Sequence, residues 1–346
     1  MTLHDQLQRR FPKLKRLPPG CYIVGGAIRD LLLGREPLDV DIAAPDAEAA
    51  ARAIRPRTIR LGRDDRTAYR VVESNRVYDV AAIEGGDVDR DLARRDFTIN
   101  AMAIDVAGGE LLDPHGGRDD LARRRVRMVQ AKNFDDDPLR LLKAVRMAIR
   151  YDFAIEEETA EAIRSRAETI VNVAPERVTY ELSIILGSNA FRRAVALLRE
   201  LGFASPLALD TTRDYAADDV SLAGAFALLV NEPRAYAEQW RWSEGLVREV
   251  LALQRLTDTH DRIALYDAGE SIARQLPAVL RALGRDEQLD WPDFSIRALL
   301  TGEELGLPPG RALGARKRRL LEAQIRGEIT TREEAEAWLR SNPTAT

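Results

Sequence analysis

Val24-Gly25-Gly26-Ala27-Ile28-Arg29-Asp30, and then Asp39-Val40-Asp41-Ile42 ten residues past Arg29, are the stretches that decide the fold. Apolar residues before the diglycine predict a strand over 21–24, and residues 27–33 predict a short helix ended by Gly34. A diglycine between strand and helix lets backbone amides approach a ligand closely, and a helix N-terminus favours phosphate. Arg29 is placed to add a charge-assisted fork, although a plain strand–turn–helix junction fits the same residues. In a strand, residues i and i+2 share a face, so Asp39 and Asp41 project together. Two such carboxylates repel unless divalent cations sit between them; the polar face of an edge strand is the alternative.

Further strands are predicted over 67–72, 76–83 and 101–106, with Glu73-Ser74-Asn75 as a hairpin turn. Asp79 interrupts the apolar run 77–83, where an unpartnered acid is costly. Three carboxylates on neighbouring strands suit two magnesium ions and in-line nucleotidyl transfer. Arg94-Arg95-Asp96 then precedes a partly apolar segment, as a solvated helix start or as triphosphate and ribose contacts.

From about residue 137 the strand signals stop. Amphipathic patterns predict helices over 138–150, 157–169, 175–185 and 190–201 and on to the end, with Thr330 and Glu333 as a capping box for a last helix reaching about 339. On a wheel of about 100° per residue from Asp137, Arg140, Lys143, Arg146 and Arg150 gather on one side. Leu141, Leu142, Val145, Ala148 and Ile149 gather on the other.

Composition narrows the function. The 346 residues allow two or more domains, and 52 basic against 56 acidic residues give a formal charge of −4, which excludes a histone-like protein. One cysteine, Cys21, excludes an internal disulfide and a cysteine-rich zinc site. His4, His115 and His260 are too few for most histidine metal centres. The charged first twenty residues lack a signal-peptide core and no long apolar run occurs, so a cytoplasmic protein without membrane contact is expected.

GGAIRD (25–30), DVD (39–41), RRDFTINAMA (94–103), LDPHGG (112–117) and DDPLRLLKAVRMA (136–148) occur in this order, followed by PERV (175–178) with Glu181-Leu182. Together with TGEELGLPPGRALGARKRRLLEAQIRGEITTREEA (301–335), this series resembles the class II tRNA nucleotidyltransferase and bacterial poly(A) polymerase family over nearly the whole chain.

The resemblance implies an α+β protein: a polymerase-β-like head with a mixed sheet over 1–130, then an all-helical neck (131–205), body (206–265) and tail (266–346). It implies Asp39 and Asp41 as Mg2+ ligands with Asp79 as third catalytic carboxylate. Gly25, Gly26, Arg29 and Arg95 match nucleotide-binding positions, and Asp96 matches the position associated with the ribose hydroxyl. Asp137 and Arg140 match the pair that selects the base without a template, and Arg146 a further nucleotide contact. Lys143 replaces the usual arginine there, keeping the charge but losing the bidentate fork. Asp136 replaces the usual glutamate.

The implied activity is addition of 3′-terminal nucleotides to tRNA from CTP, and from ATP if the full CCA end is made, by a monomer releasing pyrophosphate. A poly(A) polymerase on the same framework is the alternative, and the acidic helical C-terminal segment favours the tRNA reading. A catalytically dead RNA-binding relative is disfavoured because all three carboxylates and both base-selecting residues are present. Only 14 residues separate Asp79 from Arg94, and Glu84 stands where the family often has an arginine before a long flexible loop. Relatives without that loop resemble CC-adding enzymes, so addition of two cytidines and no adenosine is expected. Arg123-Arg124-Arg125 and Arg316-Lys317-Arg318-Arg319 suit RNA phosphates or solvated faces equally. His260-Asp261 is expected to be no phosphohydrolase site, and Trp240, Trp242, Trp291 and Trp338 are expected to be core or interface anchors.

Overall fold

The computed structural model describes residues 1–62 and 67–342. The chain divides into two compact units, one of residues 1–185 and 197–207, the other of 186–196 and 208–346.

The first unit is built on a mixed sheet. Its strands are β1 (Tyr22–Val24), β2 (Asp39–Ala44), β3 (Ile59–Leu61), β4 (Ala68–Glu73), β5 (Arg76–Ala82), β6 (Ala103–Asp105) and β7 (Leu111–Leu112). Their order across the sheet is β3-β4-β5-β2-β1-β6-β7. β2 and β5 run parallel, whereas the other neighbours are antiparallel. Val40 and Ile42 of β2 and Tyr78 and Val80 of β5 are buried on one face. There they meet the Ala47–Ile54 helix, whose Ala47, Ala50, Ala51 and Ile54 are also buried, and Phe11, whose ring stands edge-on to Tyr78 at 5.5 Å. Period-2 alternation therefore leaves Asp39, Asp41 and Asp79 together on the opposite face.

The predicted hairpin closes on a two-residue turn, with Glu73 opposite Arg76 and Ser74 at φ 56°. The helix after the diglycine runs Gly26–Leu32, and Gly34 (φ 70°) reverses the chain in the left-handed region that favours glycine. The strand expected over 101–106 shortens to β6, because Thr98–Asn100 forms a 3-10 turn before it. Strand structure also continues past residue 137: β8 (Arg125–Val126) pairs in parallel with β9 (Ala154–Ile155), through Ala154 N donating to Arg124 O at 2.9 Å. Two-residue strands are too short to show alternation, which is why β7, β8 and β9 were not expected.

Helices fill the rest of this unit. The helix expected over 138–150 is Leu139–Tyr151, and it is enclosed more fully than its wheel suggests. Leu139 and Met147, on the charged side of the wheel, are buried as well, so that side also faces protein, and Arg150 alone of its four basic residues is exposed. The helix expected over 157–169 ends at Arg164, and Ala167–Asn172 continues as 3-10 turns.

The second unit is helical. Its core includes Phe226, Tyr236, Trp240 and Trp242, with Phe226 and Trp242 ring centroids 4.3 Å apart. Trp240 and Trp242 are thus core residues, as expected. Between 283 and 310 no helix or strand forms, where glycines and Pro292, Pro308 and Pro309 interrupt the helical pattern expected to run to the end. The last helix, Arg332–Ser341, is capped one residue later than expected: Thr331 Oγ1 accepts from Glu334 N at 3.2 Å, and Glu334 accepts from Thr331 N at 3.1 Å. Both Thr-x-x-Glu registers exist, and this one also gives Glu334 a bond from the Thr330 hydroxyl at 2.9 Å.

Among the described residues no helix is long and apolar enough to cross a membrane.

Candidate active site

Asp41 and Asp79 are direct partners across the parallel β2–β5 step, and Asp39 lies opposite Val77 two residues along. Asp39 and Asp41 are open to solvent. Loss of hydration from the surrounding protein pushes the Asp41 carboxyl up to about 6; Arg95 and Arg29 pull against this, and Asp39 and Asp79 add to it. Asp79 is engaged differently. Both its oxygens accept from Arg70 of β4, at 2.8 Å from Nε and 2.8 Å from Nη2. Among the described residues no three acidic, histidine or cysteine side chains converge on one metal position. Asp39 and Asp41 still fit magnesium, which takes hard oxygen donors and needs only one or two carboxylates when substrate phosphates complete the shell.

Gly25 holds the turn above these acids at φ 75°. A Cβ there would lie 3.0 Å from Arg95 Nη1 and 3.4 Å from Asp41 Oδ2, so a cation and a carboxylate converge on a bare backbone. Arg95 is anchored by Asp91, whose Oδ2 accepts from Nη2 at 3.0 Å and from Nε at 3.2 Å. Gly26 begins the helix, and Arg29 one turn on is buried. Arg29 donates to Asp30 at 3.0 Å and to the Asn100 side chain, and stacks over Tyr151 at 4.7 Å. Asp96 Oδ1 accepts from Asn100 Nδ2 at 2.9 Å and from Phe97 N at 2.8 Å.

Asp137 and Arg140 line one cleft of about 350 Å³, with Arg94, Glu84 and the ends of β4 and β5. Both are held in place. Asp137 Oδ2 accepts from Arg177 at 3.0 Å, and Arg140 donates to Asn133 O at 2.9 Å. Glu84 pairs with Arg94 at 3.0 Å. Lys143 is half-buried on the same helix, a turn beyond Arg140. Arg146 faces Glu181, at 2.6 Å in a largely buried ion pair.

Residue types alone did not single out Arg70, Arg177 or Asn133. The hairpin turn does carry a signal for Arg70, since pairing Glu73 with Arg76 places Arg70 opposite Asp79. Arg177 and Glu181 lie in a quoted motif but reach the neck helix over 40 and 35 residues, which no local pattern reveals. Several arginines of the other basic runs are paired internally: Arg124 with Asp152, Arg125 and nearby Arg127 with the buried Asp120, and Arg318 with Asp267. His260 bonds Leu256 O and Glu287, while Asp261 caps the Arg262–Ala268 helix.

A mixed sheet with paired acids beneath a diglycine turn defines a nucleotidyltransferase head. Residues 21–127 match the family described as "Poly A polymerase head domain", and residues 152–213 match "Probable RNA and SrmB- binding site of polymerase A". A CC-adding tRNA nucleotidyltransferase from Synechocystis sp. is 43% identical over 182 residues, covering 51% of this chain and 44% of that protein. A CCA-adding enzyme from Geobacillus stearothermophilus is 38% identical over 208 residues, 55% of this chain and 51% of that one. These two alignments span about half of each relative. A solved structure of the Bacillus stearothermophilus CCA-adding enzyme in complex with CTP superposes with a TM-score of 0.78 at 28% identity, covering 99% of this chain and 98% of that one. Residues 21–127 and 152–213 thus carry the two polymerase-family domains, and the chain as a whole shares the fold of the CCA-adding enzyme structure.

Proposed function

We propose that this protein is a cytoplasmic, template-independent tRNA nucleotidyltransferase that adds cytidine from CTP to the tRNA 3′ end, releases pyrophosphate, and stops after two additions. The observation that carries the transfer reading is the open Asp39–Asp41 pair beneath the Gly25 turn, with Arg95 aimed at the same point. In this reading Asp39 and Asp41 hold Mg2+ in a two-ion site, and Arg95 with the Gly25-Gly26 backbone receives the triphosphate. Magnesium there would stabilise the charge that develops as pyrophosphate leaves. Arg29 supports the turn from below, and Asp96 faces the ribose hydroxyl. The four-part division into head, neck, body and tail at 130, 205 and 265 belongs to the same proposal, with the tail as the tRNA-binding part.

Base choice falls to the neck. Cytosine and adenine both present an exocyclic amino donor beside a ring-nitrogen acceptor, and Asp137 accepts from the first while Arg140 donates to the second. Uracil and guanine reverse that edge, so a donor would face a donor and an acceptor an acceptor, at about 1–3 kcal/mol per lost buried pairing. Arg177 and Asn133 O hold the pair in one orientation, which a template-free selector requires.

The connection between β5 and Arg94 supports the stop after two cytidines. It is short, and it is folded: Glu84–Gly86 forms a 3-10 turn and Val88–Ala93 a helix capped by Asp87. Asp91 accepts from Glu84 N at 3.2 Å, Arg90 donates to Gly85 O at 3.2 Å, and Glu84 is clamped to Arg94. A segment bonded at this many points is poorly suited to re-aim the pocket from CTP to ATP. Identities to the CC-adding and CCA-adding relatives are similar, so the connection and not the identity carries this choice. Incubating a tRNA transcript lacking its last three nucleotides with CTP, ATP and both tests the function: CTP-dependent extension is expected, and extension by ATP alone into a homopolymer would overturn it.

A further inference from the structure

Arg70, Asp79 and Asp41 stand in one row across β4, β5 and β2, each in register with the next, and so share one face of the sheet. Asp39 is on that face two residues along β2. The Arg70 guanidinium takes both oxygens of Asp79 in a fork, each at 2.8 Å, and the Arg70 side chain remains 46% exposed. Its charged state is favoured by Asp79 first and by Asp39 and Asp41 after it, so all three carboxylates act on this one cation.

We infer that Arg70 is a positioning residue that removes Asp79 from cation binding and lowers the charge of the acidic row, so that divalent ions are held by Asp39 and Asp41 alone. The inference rests on the reading of that pair as the cation site. An Asp79 oxygen offered to an ion must first give up a charge-assisted bond to Arg70, and the other bond of the fork holds the carboxylate in place. Three carboxylates and one guanidinium leave two net negative charges; without Arg70 there are three. One unit of charge about 8 Å from a bound divalent ion changes its affinity by roughly tenfold where solvent reaches the site and the effective dielectric stays near that of water. Arg70 thereby makes this a two-carboxylate centre, which needs the phosphates of the nucleotide to complete its shell and holds an ion weakly before the nucleotide arrives.

Mn2+ binding to the nucleotide-free protein, read by electron paramagnetic resonance, tests this without reference to turnover. Arg70→Gln is expected to tighten Mn2+ about tenfold and Arg70→Lys to stay near wild type, with Arg70→Gln/Asp79→Asn returning toward wild type. Asp79→Asn alone, which keeps the arginine, is expected to loosen Mn2+ by about the same tenfold, a larger loss marking Asp79 as a ligand and overturning the inference, and it supplies the answer if Arg70→Gln does not fold. Unchanged affinity in Arg70→Gln, or in Asp79→Asn should Arg70→Gln not fold, overturns the inference while leaving the Asp39–Asp41 reading intact. A wild-type protein without Mn2+ binding that depends on Asp39 and Asp41 takes down both.

Discussion

Asp41 stands directly opposite Asp79 across the parallel β2–β5 step, so the sheet itself sets two carboxylates side by side before any ligand is present. Arg70 satisfies one of them, whereas Asp41 keeps solvent access but is partly stripped of hydration by the protein around it, which pushes its carboxyl up to about 6. Native Asp41 therefore binds its proton more tightly than the unfolded chain, and ionising it works against the fold. The cost is absent below about pH 4, grows as pH rises, and is complete above about pH 6. Asp41→Asn in metal-free protein should stabilise by about 1 kcal/mol at pH 7.5, a figure reduced for solvent screening. Thermal melts across pH check it: the gain should vanish near pH 4, and a gain unchanged with pH would contradict it.

The same substitution must destroy activity if the pair holds the catalytic ions. Asp39→Ala and Asp41→Ala should each abolish nucleotide addition while leaving the far-ultraviolet circular dichroism unchanged, since losing one ligand breaks the ion clamp. Retention of a tenth of wild-type turnover in either variant would contradict the assignment.

Arg140→Ala removes the donor assigned to the ring nitrogen. Discrimination between CTP and UTP should fall roughly ten- to a hundredfold, as one buried pairing worth about 1–3 kcal/mol is lost. Ratios of kcat/KM for the two nucleotides measure it. An unaltered ratio would remove Arg140 from base selection.

Arg146 is matched to a nucleotide contact by the family pattern, yet its guanidinium is paired with the buried Glu181. Arg146→Ala leaves that carboxylate buried and unpaired, so it should cost about 3 kcal/mol of stability. Denaturant midpoints read this directly. A wild-type midpoint with a raised KM for CTP would show that Arg146 serves the nucleotide instead.

Much of the site could be read from local periodicity, because its chemistry sits on regular elements. Spacing of i and i+2 placed Asp39 and Asp41 on one face, and the polar turn after Glu73 located the hairpin. The neck helix was visible, but its surroundings were not. Met147 and Leu139 are buried on the side that the wheel assigns to charge, because protein packs against both sides of that helix. Arg177 on Asp137 and Glu181 on Arg146 are tertiary contacts that depend on how two helices meet, and no window of sequence contains both partners. Strands of two or three residues, such as β3 and β7, are held by their neighbours in the sheet and carry too little pattern of their own.

In the proposed function, the folded connection from Glu84 to Arg94 limits addition to two cytidines. Sequencing the products formed from a tRNA transcript lacking its last three nucleotides, with CTP and ATP both present, tests it most directly. Transcripts ending in two added cytidines, with no adenosine after them, are the predicted result; efficient formation of complete CCA ends would contradict it.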